Sequence, residues 1–401
     1  MKSMDTQSKI NELVSRGVED VFVKESLLNK LQSGRKLRVK LGFDPTGSKI
    51  HIGRAIILRK LKAFQDLGHT VIFILGDFTA VVGDPSDKLE KRPMLTKEAI
   101  KENLKTYKKQ VGKIIDIDKA EFVFNGKWLS KLKFGEIAQL AESFSVSQMS
   151  NRRNFKERFD KGEEVSLREF MYPLMQGYDS VMVKADVEIG GFDQLFNLKA
   201  GRTIQKHFGQ PEQDILTTQM LEGTDGRKMS TSWGNVINIT DEPSDMFGKV
   251  MSVKDELILK YFLLCTDVNL SEIERMKLEM ASGKLNPRDA KLSLGEEIVK
   301  IYNNEKKARK ARENFLATFS QGKIPTDIKE YKAVVGALLS DCLSSAGLIA
   351  SKSEWRRLIG ENAVSSIAPD GVATKILDFN FKVTAPAVFK IGKHRFLKVT
   401  L

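Results

Sequence analysis

Residues Lys40 to Arg54, KLGFDPTGSKIHIGR, carry a change of hydrophobic period that few folds accommodate. Leu37, Val39, Leu41 and Phe43 alternate with basic or small residues, as along a strand, up to an Asp/Pro/Gly turn. Ile57, Leu61, Phe64 and Leu67 then recur at helical spacing until Gly68. A buried strand that feeds directly into a helix opens a doubly wound α/β domain, where ligands bind beyond the carboxyl ends of the strands. His51 and Gly53 fall at the join, where free backbone N–H groups and the helix dipole favour an anion.

The same logic extends along the chain. Val71 to Leu75 is a continuous apolar, β-branched run, suited to a central parallel strand, and it empties into Gly76-Asp77 and then Gly83-Asp84-Pro85-Ser86. Lys88 and Arg92 follow on KLEKRP. Mobile cations of this kind can offset charge that develops during phosphoryl or nucleotidyl transfer, although a solvated charge run is the plainer reading of that loop alone. Thr96 reads as the N-cap of a helix to about Asp116, and Glu121 to Phe124 as a further strand. Helices over Phe134 to Met149 and Leu167 to Ser180, separated by the polar stretch Asn151 to Glu164, read as an insertion between two halves of a sheet. Tyr172, Gln176 and Asp179 share one helical face, where a polar ligand or a second polar element would satisfy them. Asp186 to Ile189 leads into Gly190-Gly191, with Asp193 and Gln194 opening a helix to about His207, so the opening pattern recurs; Gln213 to Thr217 is the next strand. Gly223 to Gly234, GTDGRKMSTSWG, is a small-residue loop armed with Arg227 and Lys228.

A formal charge of +13 over 401 residues points to a polyanionic partner, with a solvated basic surface as the alternative. Two cysteines, Cys265 and Cys342, exclude a disulfide framework, and no Cys/His cluster has zinc spacing, so no metal site is expected. Neither a signal-peptide pattern nor a membrane-length apolar run is evident, so the expectation is a cytoplasmic chain without membrane association.

These pieces together resemble the class I aminoacyl-tRNA synthetases, and within them the bacterial tyrosyl branch. His51-Ile52-Gly53-Arg54 is similar to the HIGH motif and Lys228-Met229-Ser230-Thr231-Ser232 to the KMSKS loop. Between them come Gly83-Asp84-Pro85-Ser86, Tyr172-Pro173-Leu174-Met175-Gln176-Gly177-Tyr178-Asp179 and Gly190-Gly191-Phe192-Asp193-Gln194, in family order. The resemblance implies that His51 and Thr46 stabilise the phosphates of ATP while tyrosine's carboxylate attacks, with Lys88, Arg92 and Lys228 closing over pyrophosphate. It places Asp44, Gly53, Arg54, Gly191, Asp193, Met229, Ser230, Thr231 and Ser232 in the ATP site. It assigns the substrate's ammonium to Asp84, Tyr172 and Gln176, its carboxylate side to Gln194 and its phenolic hydroxyl to Asp179, with Gly42 and Lys40 also at the tyrosine site. A buried polar group left unpaired rejects the analogue lacking the hydroxyl, a rule whose standing illustration is a synthetase of this kind. Such transfers run on positioning and charge stabilisation, so no covalent nucleophile is needed; magnesium accompanies the nucleotide.

Three positions depart from the family pattern: Arg54 stands for the second histidine of HIGH, Thr231 for the second lysine of KMSKS, and Lys40 where many bacterial tyrosyl enzymes carry a tyrosine. A tryptophanyl enzyme of the same fold is the first rival, opposed by Gly-Gly-x-Asp-Gln and Asp179. A non-catalytic RNA-binding paralogue is the second, opposed by joint retention of Asp84, Lys88, Tyr172, Gln176, Asp179 and Lys228. The expected layout is a helical segment over 1–36, a Rossmann-type doubly wound parallel sheet over 37–240 with a helical insertion near 95–180, a helical anticodon-binding domain over 241–320, and a small α+β RNA-binding module over 331–401 similar to one in a small-subunit ribosomal protein. In the helical domain, Pro287 is expected to open a helix ending in Lys306, Lys307, Arg309, Lys310 and Arg312, with a linker at Gly322 to Pro325. The partners implied are ATP, L-tyrosine and tRNA(Tyr), and the assembly implied is a homodimer.

Overall fold

The computed structural model describes residues 6–85, 96–320, 328–367, 373–392 and 395–401. Its strands β1 (Val18–Phe22), β2 (Arg38–Phe43), β3 (Thr70–Leu75), β4 (Ala120–Phe124), β5 (Val187–Gly191) and β6 (Asp214–Thr218) form one sheet in the order β1-β6-β5-β2-β3-β4. Strands β2 to β6 are parallel, and β1 runs antiparallel on the edge beside β6. From β2 the chain builds outward through β3 and β4 on one side and through β5 and β6 on the other. The carboxyl ends of β2 and β5 therefore flank the topological switch point, where a doubly wound sheet opens a crevice.

The period change places these elements as the sequence requires. Val39, Leu41 and Phe43 are buried from β2, and β3 is buried along Val71 to Leu75. The helix Ile52–Asp66 covers the sheet with Ile52, Ala55, Ile56, Leu58, Leu61 and Phe64. Ile57 is only half-buried, so the inward face is turned toward Ile56 and Leu58 relative to the expected stripe.

The segment expected to be helical over 1–36 holds helices Thr6–Leu13 and Lys24–Gln32 with β1 between them. In β1 the charged pair Glu19 and Asp20 is exposed, as edge strands allow, and this hides the alternation that marks a strand. Thr96 caps the helix Lys97–Val111 through a hydrogen bond from the Ala99 amide, and that helix stops short of Asp116. The stretch Phe134 to Met149 divides into helices Phe134–Glu142 and Val146–Ser150, the second started by a Ser145/Gln148 capping box.

The polar stretch Asn151 to Glu164 contains a helix, Arg153–Asp160, instead of a loop. Phe155 and Arg158 are its buried anchors, and Arg158 forms a 2.5 Å ion pair with Glu169 in which both side chains are almost fully buried. Glu169 also closes a capping box with Ser166 at the start of the helix Leu167–Met182. That helix crosses Leu195–His207 at Gly177, where a Cβ would lie 2.9 Å from Ile204 Cγ1 and 3.0 Å from the Ala200 carbonyl.

The chain divides into two compact units. The first comprises Met1–Glu222 with Asn238–Thr240 and Leu263–Cys265, and the second comprises Gly223–Ile237, Asp241–Phe262 and Thr266–Leu401. The loop Gly223–Ile237 thus belongs to the second unit, where a boundary at residue 240 would have given it to the sheet. In this unit the helices Pro243–Met251 and Pro287–Tyr302 meet at Gly295, against the ring of Phe247. The basic cluster Lys306 to Arg312 opens a separate helix, Glu305–Ser320, because Asn303 departs from helical backbone angles after Tyr302.

Near the carboxyl end, β7 (Lys329–Lys332), β8 (Ala337–Leu338), β9 (Val364–Ile367), β10 (Ala373–Lys375), β11 (Lys382–Val383), β12 (Ala387–Ile391) and β13 (Arg395–Thr400) form a five-stranded sheet, β10-β9-β12-β13-β7, and a β11-β8 pair. Trp355 is buried here and its indole N–H donates to the Phe379 carbonyl at 2.9 Å. The linker expected at Gly322 to Pro325 lies outside the described residues.

Glu169→Ala leaves the Arg158 guanidinium buried without its carboxylate and removes the cap of the helix Leu167–Met182. It should lower unfolding free energy by about 3–5 kcal/mol, read from denaturant melts of the full chain; a loss under about 1 kcal/mol would overturn the role assigned to the pair.

Candidate functional site at the strand ends

The carboxyl ends of β2, β3 and β4 each deliver a polar side chain, and hydrogen bonds join them into one ring. Asp44, just beyond β2, accepts from Thr79 Oγ1 at 2.7 Å and from the Tyr172 hydroxyl at 3.0 Å. Asn125, just beyond β4, donates to Thr79 Oγ1 at 3.0 Å and to Asp179 Oδ2 at 3.2 Å. Trp128 Nε1 donates to the other Asp179 oxygen at 2.7 Å. Tyr172 and Asp179 lie on the helix Leu167–Met182, so the ring closes through it. Gly76 is a glycine because a Cβ there would lie 1.9 Å from Asp44 Oδ1 and 2.3 Å from Thr79 Oγ1.

Burial sets the electrostatics of this ring. Asp179 is 3% exposed, and loss of water raises its carboxyl to about 6. The Lys40 cation and the Trp128 and Asn125 donors oppose the rise. Desolvation likewise holds the Tyr172 phenol well above its ordinary range, helped by the charges of Asp44, Asp84 and Asp179. Tyr172 is thus a neutral donor in a cluster of carboxylates. Gly42, at the end of β2, is exposed, with open space where a Cβ would stand.

A second cluster joins the β3 and β5 ends. Gln194 Nε2 donates to Asp84 Oδ2 at 2.7 Å, and Asn197 Nδ2 reaches Gln194 Oε1 at 3.1 Å and Asp84 Oδ1 at 3.4 Å. Arg152 donates to Asn197 Oδ1 at 3.2 Å and lies over the rings of Phe155 and Phe196 at 5.0 and 4.4 Å. Its burial lowers the guanidinium to about 10, against the pull of Asp84. Gly191 closes β5, where a Cβ would meet Asp193 Oδ1 at 2.5 Å; Asp193 itself is exposed.

At the head of the helix Ile52–Asp66, His51 occupies the N-cap position without a side-chain cap and forms an isolated bridge with Asn238. Its Nδ1 is buried and accepts or donates no hydrogen bond among the described residues. Desolvation, then the adjacent Arg54, lowers the imidazole to about 3. Gly53 lies in the first turn beside Arg54. The Arg54 guanidinium donates to Thr46 Oγ1 at 2.8 Å and to the Tyr107 hydroxyl at 3.4 Å, and sits 5.1 Å from the Phe43 ring centroid. An exposed threonine hydroxyl, an unpaired imidazole nitrogen, a fixed cation and free helix N–H groups suit an anionic ligand.

Lys40 differs from its expected place. It is 0% exposed, and its ammonium is spent on the Gln176 carbonyl at 2.8 Å, Ser180 Oγ at 2.6 Å and Glu188 at 3.2 Å. It supports the helix Leu167–Met182 from beneath and presents no surface to a ligand. Lys88 and Arg92 lie outside the described residues.

In the second unit the loop Gly223–Ile237 is shaped by Asn235, which accepts from the Ser230 amide at 2.8 Å and donates to Asp225 at 2.8 Å and to the Lys228 carbonyl at 3.1 Å. Asn235 and Arg227 hold the Asp225 carboxyl down to about 2. Met229 is buried, Lys228 and Thr231 are exposed, and Thr231–Trp233, with Ser232 between, is a short 3-10 turn. Sequence reasoning missed Thr79, Asn125, Trp128, Arg152, Ser180, Glu188 and Asn197. For Asn125 a signal exists: it stands one residue beyond a strand end, before a glycine.

Residues 32–320 match the family model described as tRNA synthetases class I (W and Y). The chain is 46% identical over 402 residues to "Tyrosine--tRNA ligase" of Carboxydothermus hydrogenoformans, covering 97% of each protein. It is 43% identical over 390 residues to the protein of that name from Thermotoga maritima, covering 97% of this chain and 96% of the other. Among solved structures, a truncated mitochondrial tyrosyl-tRNA synthetase of Aspergillus nidulans aligns with TM-score 0.63 at 22% identity, over 79% of this chain and 95% of that one. The Archaeoglobus fulgidus tyrosyl-tRNA synthetase complexed with L-tyrosine aligns with TM-score 0.61 at 22% identity, over 77% and 100%. These two likenesses concern the fold.

A His51 value near 3, against about 6.5 in an unfolded chain, means that stability from the neutral ring is complete above pH 6.5 and is lost as pH falls toward 3. The His51 ring resonances, assigned by a His51→Gln variant, should therefore stay flat from pH 8 to about pH 4.5; an inflection near pH 6.5 would refute the buried neutral imidazole.

Proposed function

The chain belongs to the class I tRNA synthetases of the tryptophan and tyrosine group, and from that premise we propose that it is a tyrosine–tRNA ligase. It activates L-tyrosine with ATP to tyrosyl-adenylate and pyrophosphate, then transfers tyrosine to the terminal adenosine of tRNA(Tyr). The observation that carries the amino-acid assignment is the buried Asp179 carboxylate, held by Trp128 and Asn125 on the same helix as Tyr172 and Gln176. A phenolic hydroxyl is a donor such a carboxylate can use, and phenylalanine would leave it one donor short.

In this reading Asp84, Tyr172 and Gln176 take the ammonium group, with Gln194 on the carboxylate side. Neutral His51 and the Thr46 hydroxyl donate to phosphate oxygens at the head of the helix Ile52–Asp66, and Arg54 supplies fixed positive charge there. The glycine approach at Gly191 and the exposed carboxylate of Asp193 suit a ribose, and Asp44 borders the nucleotide. Lys228, on an exposed loop with Met229, Ser230, Thr231 and Ser232, would offset charge on the leaving pyrophosphate, as would Lys88 and Arg92. No covalent intermediate is required, because positioning and charge stabilisation carry a transfer of this type. Magnesium enters with the triphosphate, held by its oxygens and water. The surplus of thirteen positive charges and the basic helix Glu305–Ser320 suit tRNA. Among the described residues no helix is long and apolar enough to cross a membrane, and a cytoplasmic place fits the reaction.

The proposed assembly is a homodimer. Phe134, Val146 and Leu167, all in the helical insertion, are 87%, 75% and 80% exposed, apolar side chains that a second copy of the chain would cover.

Tyrosine-dependent exchange of labelled pyrophosphate into ATP tests the activity, with tryptophan and phenylalanine as comparisons. Tyrosine alone should support exchange, and Asp179→Ala should lower the preference for tyrosine over phenylalanine by at least about tenfold. Exchange driven by tryptophan, or unaltered selectivity in the variant, would overturn the assignment. Light scattering should give twice the chain mass in solution, and Phe134→Asp/Leu167→Glu should give the single mass; an unmoved dimer would place the interface elsewhere.

A further inference from the structure

Beneath the helix Leu167–Met182 lies a charge pair with no exposed surface. Lys40 and Glu188 are register partners on β2 and β5, 3.2 Å apart, each with 0% side-chain exposure. The three protons of the Lys40 ammonium are taken by the Gln176 carbonyl, Ser180 Oγ and Glu188. Glu188 in turn accepts from Gln176 Nε2 at 3.0 Å, from Ser180 Oγ at 3.3 Å and from Gln213 Nε2. Gly201 leaves room for this packing, since a Cβ there would lie 2.2 Å from Gln213 Nε2 and 2.7 Å from Ser180 Oγ.

One consequence concerns the two ends of the Gln176 carboxamide. Its nitrogen is committed to Glu188, and no described residue donates to its Oε1. A buried carboxylate tolerates the nitrogen end far better than the oxygen end of an amide, because two acceptors repel. The free end is therefore fixed as an acceptor, which is what an ammonium needs.

We propose that Lys40 and Glu188 are positioning residues that lock the Gln176 carboxamide with its oxygen toward the amino acid, so that the slot selects substrates carrying an α-ammonium group. Glu188 sets the orientation of the amide. Lys40 makes Glu188 tolerable in a dry interior and ties the backbone of the same helical turn through the Gln176 carbonyl, so side chain and main chain of Gln176 are held by one pair. This rests on the reading of Gln176 as an ammonium contact.

The test compares binding of L-tyrosine with binding of 3-(4-hydroxyphenyl)propionate, the same molecule without its amino group, to the full chain by calorimetry. The variant Lys40→Met/Glu188→Leu replaces the pair by apolar side chains of similar length, an exchange that often preserves stability. Its tyrosine Kd should rise roughly ten- to hundredfold, the usual worth of a charge-assisted hydrogen bond, while the amine-free analogue changes less than about threefold. Glu188→Gln, which keeps Lys40, should show the same selective loss to a smaller degree and serves if the double variant does not fold. The ratio of the two constants within one protein does not depend on how much of it is folded. Parallel weakening of both ligands, or an unchanged ratio, would overturn the positioning role. A natural chain that binds the amine-free compound as well as tyrosine would instead overturn the assignment of Gln176 itself.

Discussion

A carboxylate taken out of water must be given donors or a cation, and the first unit is arranged around that demand. Asp44, Asp179 and Glu188 sit at strand ends or beneath a covering helix, where solvent is thin. Each is answered by a side chain from a different element: Tyr172 and Thr79 for Asp44, Trp128 and Asn125 for Asp179, Lys40 and Gln213 for Glu188. Because the donors come from different elements, satisfying the charges also fixes how the helix Leu167–Met182 lies over the sheet. Removing one donor is costly in a way that removing an apolar contact is not, since the partner stays buried and unpaired. The same features that fix the fold hold open a set of polar ends facing the switch point.

The sheet was legible because its strands are buried on both faces or feed straight into glycine-bearing turns. Val71 to Leu75 needs no alternation to be recognised, and the change of period after Phe43 marks a strand followed by a helix. What escaped was structure whose signal depends on a partner. β1 is an edge strand with two exposed charges, so its sequence reads as a surface segment until β6 is beside it. The helix Arg153–Asp160 is polar because its buried arginine is answered by Glu169, and a pattern that counts only apolar residues cannot see an ion pair as a core contact. The basic run after Asn304 reads equally well as the end of one helix or the start of another; a single residue with unusual backbone angles decides it.

The site followed the same division. Residues that terminate strands or share a helical face, such as Asp44, Asp84, Tyr172, Gln176 and Asp179, could be picked out one at a time. Their orienting partners could not, because Thr79, Asn125, Trp128 and Asn197 are ordinary residues whose meaning comes only from what they touch. Lys40 is the instructive case. Its place in the sequence put it at the expected amino-acid slot, but a long side chain on a buried face can end on the nearest carboxylate, here that of Glu188. The inward-pointing Glu188, on the neighbouring strand at the matching register, is what converts a lysine in a core from an anomaly into a support.

The two other departures from the family pattern are linked by charge. Arg54 brings a permanent cation to the head of the helix Ile52–Asp66, anchored by Thr46 and by the Phe43 ring, and its field is one reason that His51 stays neutral. Thr231 removes a cation from an exposed loop. If both positions serve a triphosphate, as proposed, positive charge has been traded from an exposed loop to a cation anchored at a helix head. A fixed cation stabilises developing charge without the entropy of ordering a loop, but it also binds the ground-state phosphates, so it strengthens nucleotide binding more than it accelerates the step. Rate then rests on groups whose contacts change during transfer, and the neutral imidazole of His51, whose buried Nδ1 has no hydrogen-bond partner among the described residues, is free to make a new one.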